Sequence, residues 1–128
     1  MTRARSKVLI IDDEEDMCWA LENIMKRQGV SSRSVVCGQD ALELVRKFSF
    51  GLIYLDVKLP DIEGIELAQQ IRGIDRKVPI VLVSGFFYHD DVPVQTALQD
   101  KLISCFISKP FQHNEIVGSL KFARRRLN

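Results

Sequence analysis

Four short apolar runs, at residues 8–11, 52–55, 80–83 and, more weakly, 102–107, punctuate the chain. Their hydrophobicity is continuous rather than alternating. That is the pattern of strands covered on both faces, as in a parallel sheet. Residues 34–36 are a fainter strand candidate. Between the runs the period changes to that of a helix. Met17, Leu21, Ile24 and Gln28 follow a 4-3-4 spacing that Gly29 stops. Ala41, Leu42, Val45 and Phe48 mark a second helix, and Ile65, Ala68 and Ile71 a third that starts after Gly64 and ends near Gly73. Ile116, Leu120, Ala123 and Leu127 mark the last. In the stretch from 86 to 101, Pro93 suits the first turn of a helix capped by Asp91 or Val92 and continued by Val94, Ala97 and Leu98. Five β–α alternations predict an α/β sandwich on a parallel sheet with right-handed crossovers. In such sheets, ligands bind outside the carboxyl ends of the strands.

Those strand ends carry polar chemistry. Asp12 and Asp13 follow the first run, Asp56 the third, Ser84 and Gly85 the fourth, and Lys109 and Pro110 the fifth. Each has an ordinary explanation by itself. Asp12 or Asp13 suits a helix cap, Asp56 opens a turn at Leu59-Pro60-Asp61, Ser84-Gly85 is turn chemistry, and Lys109 is a solvated lysine. Together at one rim they form a coherent site. Three carboxylates brought together repel and raise one another's pKa, and a hard divalent cation relieves that while leaving room for phosphate oxygens. A carboxylate is also a phosphoryl acceptor, a lysine pairs with the phosphoryl group, and a serine hydroxyl donates to it.

Composition narrows the classes further. The 128 residues suit one domain with its own core. Eighteen Lys+Arg against 17 Asp+Glu give a net charge of +1, so no overall field points to nucleic acid or membrane. The balance is uneven. Arg3, Arg5 and Lys7 make a basic leader at 1–7, Lys121, Arg124, Arg125 and Arg126 make a basic tail, and five acids run from Asp12 to Asp16. The tail suits a solvated last turn that complements the helix dipole, the start of a linker, or a contact for acidic partners. Cys18, Cys37 and Cys105 form no CxxC pair, and neither His89 nor His113 stands at a zinc spacing from them. They predict buried free thiols in a reducing cytoplasm. No apolar run approaches a membrane span.

The segments VLIIDDEEDM (8–17), LIYLDVKLPDIEG (52–64), PIVLVSG (79–85) and FISKPF (106–111) resemble the receiver domain of bacterial two-component response regulators. The resemblance covers nearly the whole chain, with a core of about 7–124. It implies a flavodoxin-like (βα)5 fold with strand order 2-1-3-4-5. It further implies Asp56 as phosphoacceptor, with Mg²⁺ (or Mn²⁺) held by Asp12, Asp13, Asp56 and the backbone carbonyl of Lys58. Ser84, Gly85 and Lys109 would contact the phosphoryl group, and Pro110 would follow the lysine, often through a cis bond. Ser84 and Phe106 would form the switch that biases the face of helix four, strand five and helix five. The implied partners are a sensor histidine kinase or phosphotransfer protein and an output protein or domain of unknown identity. The chain would assist its own phosphorylation and dephosphorylation without being an enzyme acting on a separate substrate.

Several features depart from that pattern. The stretch between Ser84 and Lys109 is slightly long, holds Phe86, Phe87 and Tyr88, and lacks the Gly-Ala that usually precedes strand five. The aromatics suit partial burial in a loop, or a partner-binding patch. In receivers the positions of Lys58 and Phe86 influence how fast the phosphoryl group is hydrolysed, and a bulky Phe86 is expected to hinder an attacking water. Ser104 and Cys105 stand where helix-four-to-five dimers usually carry acids. Three rivals share the topology. A non-phosphorylated receiver-like protein-binding module would be expected to lack some of the five site residues. A flavin-binding protein would need a phosphate loop where this chain has acids. An aspartyl phosphohydrolase would place its nucleophile after strand one, as Asp-x-Asp. Chain length favours a receiver that stands alone over one cut from a longer regulator.

Overall fold

A computed structural model describes residues 7–124; the expectations for Arg3, Arg5, Arg125, Arg126 and Leu127 lie outside the described residues. Five strands, β1 (Val8–Ile11), β2 (Ser32–Val35), β3 (Leu52–Leu55), β4 (Ile80–Ser84) and β5 (Cys105–Ser108), alternate with five helices. The helices are α1 (Glu15–Arg27), α2 (Gly38–Lys47), α3 (Gly64–Ile74), α4 (Val92–Gln99) and α5 (His113–Ser119). All strand pairs are parallel, in the order β2-β1-β3-β4-β5. Alternate residues of each central strand feed opposite faces. Leu9, Ile11, Ile53, Leu55, Ile80 and Leu82 pack with α2, α3 and α4. Val8, Ile10, Leu52, Tyr54, Val81 and Val83 pack with α1 and α5. This two-sided burial explains the continuous apolar runs. The faint run belongs to β2, an edge strand with no buried residue, and it begins at Ser32 rather than Ser34.

Helix ends follow local chemistry. α1 opens with Glu15 and Asp16, closes with Lys26 and Arg27, and so complements its dipole at both ends. Gly29 takes φ +71°, and the Val30 N–H donates to the Met25 carbonyl at 2.9 Å, a Schellman stop. α4 starts after Asp91 with Pro93 in its first turn. It stops by the same motif. Leu102 N–H donates to the Ala97 carbonyl at 2.9 Å, but the left-handed position is filled by Lys101 at φ 60°. This is the stretch that lacks Gly-Ala. The stop uses residues 101–103, so β5 begins at Cys105 rather than at 102.

Two other expectations change. The last helix does not continue to residue 123: α5 ends at Ser119 and one 3-10 turn, Leu120–Phe122, follows. Arg124 is not a solvated tail cation. Its guanidinium donates to both carboxylate oxygens of Asp75, at 2.8 and 2.7 Å, tying the chain to the end of α3. Of the three cysteines only Cys18 is buried; Cys37 and Cys105 are half-buried. No helix among the described residues is long and apolar enough to cross a membrane.

Candidate functional site

Strand register assembles the site. β1 and β3 are both four residues long and pair Val8 with Leu52 and Ile11 with Leu55. The residues that follow, Asp12 and Asp56, must therefore leave the sheet side by side. Asp56 N–H donates to the Ile11 carbonyl at 2.9 Å, so the ladder runs to the last residue before the site. On the other side, β4 and β5 pair Ser84 with Ser108, and Lys109 N–H donates to the Ser84 carbonyl at 3.0 Å. Lys109 is thereby delivered to the same rim, and a cis bond joins it to Pro110.

Asp12, Asp13 and Asp56 each offer a carboxylate oxygen, and these atoms lie within 4.8 Å of one another. Asp12 and Asp56 are buried and Asp13 is exposed. One Asp12 oxygen accepts from the Glu14 N–H at 2.9 Å, so Asp12 braces the approach to α1 while its other oxygen meets Lys109. The Lys109 ammonium lies 2.8 Å from Asp12, 3.2 Å from Glu14 and 3.5 Å from Asp56. These acids raise the lysine's pKa against the opposing effect of burial. The Asp56 carboxyl is pushed up to about 6, first by burial and then by the neighbouring Asp12 charge, with Lys109 pulling the other way. The Asp12 charge thus adds to the shift, but burial is the larger cause.

A cleft of about 350 Å³ opens over this cluster, lined by Asp13, Glu14, Asp56, Lys58, Ser84, Gly85, Phe86 and Lys109. Ser84 is fully buried, and its hydroxyl oxygen accepts from the Phe86 N–H at 2.9 Å. Lys58 and Phe86 meet across the mouth, with the ammonium 4.4 Å from the ring centroid. Phe86 and Tyr88 are exposed, whereas Phe87 packs onto the core, so partial burial in the loop holds for Phe87. Phe106 is buried, with the His89 ring edge-on at 6.2 Å between centroids.

Glu14 escaped the sequence reading. It stands inside the acidic run, where composition cannot separate a lysine partner from a solvated first turn. Asp61 escaped as well, being read as part of a turn.

Hard carboxylate oxygens in this number suit Mg²⁺ or Mn²⁺ rather than a softer metal. The buried Asp12 and Asp56 carboxylates, crowded within 4.8 Å of Asp13, fit a site whose negative charge a cation would offset.

The response regulator protein TodT of Pseudomonas putida is 26% identical over 123 residues, covering 96% of this chain and 53% of its own. The chain thus spans about half the length of the curated relatives it matches first. The structure of a CheY-like response regulator receiver domain protein from Methanospirillum hungatei superposes with a TM-score of 0.83, at 20% identity and 92% coverage of both chains. That of response regulator protein TrrA from Thermotoga maritima, in complex with Mg²⁺-BeF, gives 0.78 at 22% identity, covering 91% of this chain and 96% of its own. The model of the response regulator receiver domain matches residues 8–121, and with its strand order and acidic rim this chain belongs to that family.

Proposed function

We propose that the protein relays a two-component signal by accepting a phosphoryl group on Asp56. The observation that carries this reading is the buried Asp56 carboxylate, clustered with two others and 3.5 Å from the Lys109 ammonium. The donor is the phosphohistidine of a sensor kinase or phosphotransfer protein. An Asp56 oxygen forms the new bond to phosphorus, the phosphorus–nitrogen bond breaks, and the imidazole keeps its electron pair. Asp12, Asp13, Asp56 and the Lys58 carbonyl would hold Mg²⁺ or Mn²⁺, which when bound neutralises charge on the phosphoryl oxygens. TrrA of Thermotoga maritima, which shares this fold, is known in complex with Mg²⁺-BeF.

Lys109 leaves its carboxylate partners to pair with the phosphoryl group. Ser84 gives up the Phe86 N–H and donates its hydroxyl proton to a phosphoryl oxygen, with Gly85 leaving room beside it. Phe106 packs against the space that Ser84 vacates. The face of α4, β5 and α5 then shifts between two arrangements and is read by an output partner or domain. The protein promotes changes to its own Asp56 and turns over no separate substrate.

The test is intact mass after incubation with Mg²⁺ and acetyl phosphate. A single labile adduct is expected, absent from Asp56→Asn and absent with chelator. An equal adduct on Asp56→Asn overturns the site, and no adduct on the native chain leaves a non-phosphorylated binding module.

A further inference from the structure

The helix α2 starts without a cap of its own. Its N-cap residue Cys37 is extended, at φ −147° and ψ 161°, and its side chain accepts no bond from the helix. The first two helical N–H groups are nonetheless satisfied from elsewhere. Asp61, in the loop between β3 and α3, accepts from Gly38 N–H at 2.8 Å through one carboxylate oxygen. It accepts from Gln39 N–H at 2.9 Å through the other. These bonds hold the Asp61 carboxyl below the usual range. A side chain at Gly38 would run into Ile62, so helix start and loop are in direct contact.

The same loop leaves directly from Asp56 and contains Lys58. Its base is closed by Gly64 N–H donating to the Val57 carbonyl at 2.6 Å, and by a bridge between Lys58 and Glu63. A side chain at Gly64 would strike the Asp56 carbonyl, so α3 approaches the site strand as closely as backbone allows. The loop therefore has two attachments at its base, to β3 and α3. The polar attachment further out is Asp61 on α2, beside the apolar seating of Leu59 and Ile62.

We propose that Asp61 is a positioning residue for the cation site: by docking the β3–α3 loop onto the bare N-terminus of α2, it holds the Lys58 carbonyl and Asp56 in register with Asp12 and Asp13. The inference rests on the receiver reading of that site. Asp61 touches neither cation nor phosphoryl group, and acts through the loop it pins. Groups bonded directly to metal ligands are worth about 10–100-fold in affinity, and Asp61, acting through the loop, belongs at the low end of that range.

Calorimetric titration of the full chain with Mg²⁺ alone tests it. Asp61→Ala is expected to raise the Kd about 10-fold, and Asp61→Asn, which keeps one acceptor oxygen, to raise it less. The control is Arg124→Ala, which breaks the Asp75 pair at the opposite end of the sheet. It is expected to lower stability and leave the Kd unchanged. An unchanged Kd in Asp61→Ala overturns the proposal, and shows that Leu59 and Ile62 suffice to seat the loop. An equal rise in Arg124→Ala also overturns it, because the effect would then be general loss of stability. Should Asp61→Ala not fold, the Asn variant decides: a native Kd there counts against the clamp. A native chain that binds no Mg²⁺ defeats the receiver reading itself, an outcome distinct from all of these.

Discussion

At the scale of single residues, Asp56 holds its charge at a cost to the fold. Its carboxyl is near 6 in the folded state against 3.8 for the free group. Well below pH 3.8 it is neutral in both states and costs nothing. As pH rises from about 4 to about 6 the unfolded chain loses this proton while the folded one keeps it, so up to about 3 kcal/mol of stability is withdrawn, in full above pH 6. Asp56→Asn is therefore expected to stabilise the metal-free protein by about 1–3 kcal/mol at pH 8 and hardly at all at pH 4. Urea denaturation at the two pH values checks this. Phe86 makes a second residue-scale case. Its ring lies at the mouth of the cleft, stacked with the Lys58 ammonium. Phe86→Ala is expected to shorten the lifetime of the phosphorylated protein, followed by loss of the mass adduct, while Tyr88→Ala leaves it unchanged. Both residues are legible as flanking positions in the sequence, but their contact with each other is not, because 28 positions separate them.

Among the elements, most starts and stops follow short-range chemistry and could be read directly. Gly29 after α1 and Pro93 in α4 are such cases. The end of α4 was harder because Lys101 fills a position that favours glycine. A left-handed residue with a Cβ costs about 1–2 kcal/mol, partly offset by the greater freedom of glycine in the unfolded chain. Lys101→Gly is accordingly expected to raise stability by about 0.5–1 kcal/mol in chemical denaturation. The early end of α5 has a tertiary cause. The Ser119 hydroxyl donates to the Ile116 carbonyl at 2.6 Å and pairs with the Tyr54 hydroxyl, also at 2.6 Å. Helical spacing through Leu120, Ala123 and Leu127 cannot register a hydroxyl arriving from β3. Nor can it register the Asp75 carboxylate that captures Arg124.

For the molecule as a whole, the acidic rim links binding to stability. A cation that binds only the folded form stabilises it by about 2.7 kcal/mol at 100 times its Kd. Mg²⁺ is thus expected to raise the thermal midpoint of the native chain, and Asp13→Asn to weaken that rise at equal Mg²⁺ concentration. Differential scanning fluorimetry over a Mg²⁺ series checks both. Apolar runs and helical periods fixed the class of fold from the sequence alone, because each reflects burial within a few residues of chain. The polar residues at the strand ends were legible for a related reason: a parallel sheet sends every carboxyl end to one edge, so Asp12, Asp13, Asp56, Ser84 and Lys109 share it whatever the details. Tertiary structure decided the rest. Register placed Asp12 beside Asp56, and proximity gave Lys109 a third acid in Glu14. Packing brought Asp61 to a helix start 23 positions away and Arg124 to Asp75. Such pairings depend on which elements become neighbours, and no spacing along the chain encodes that.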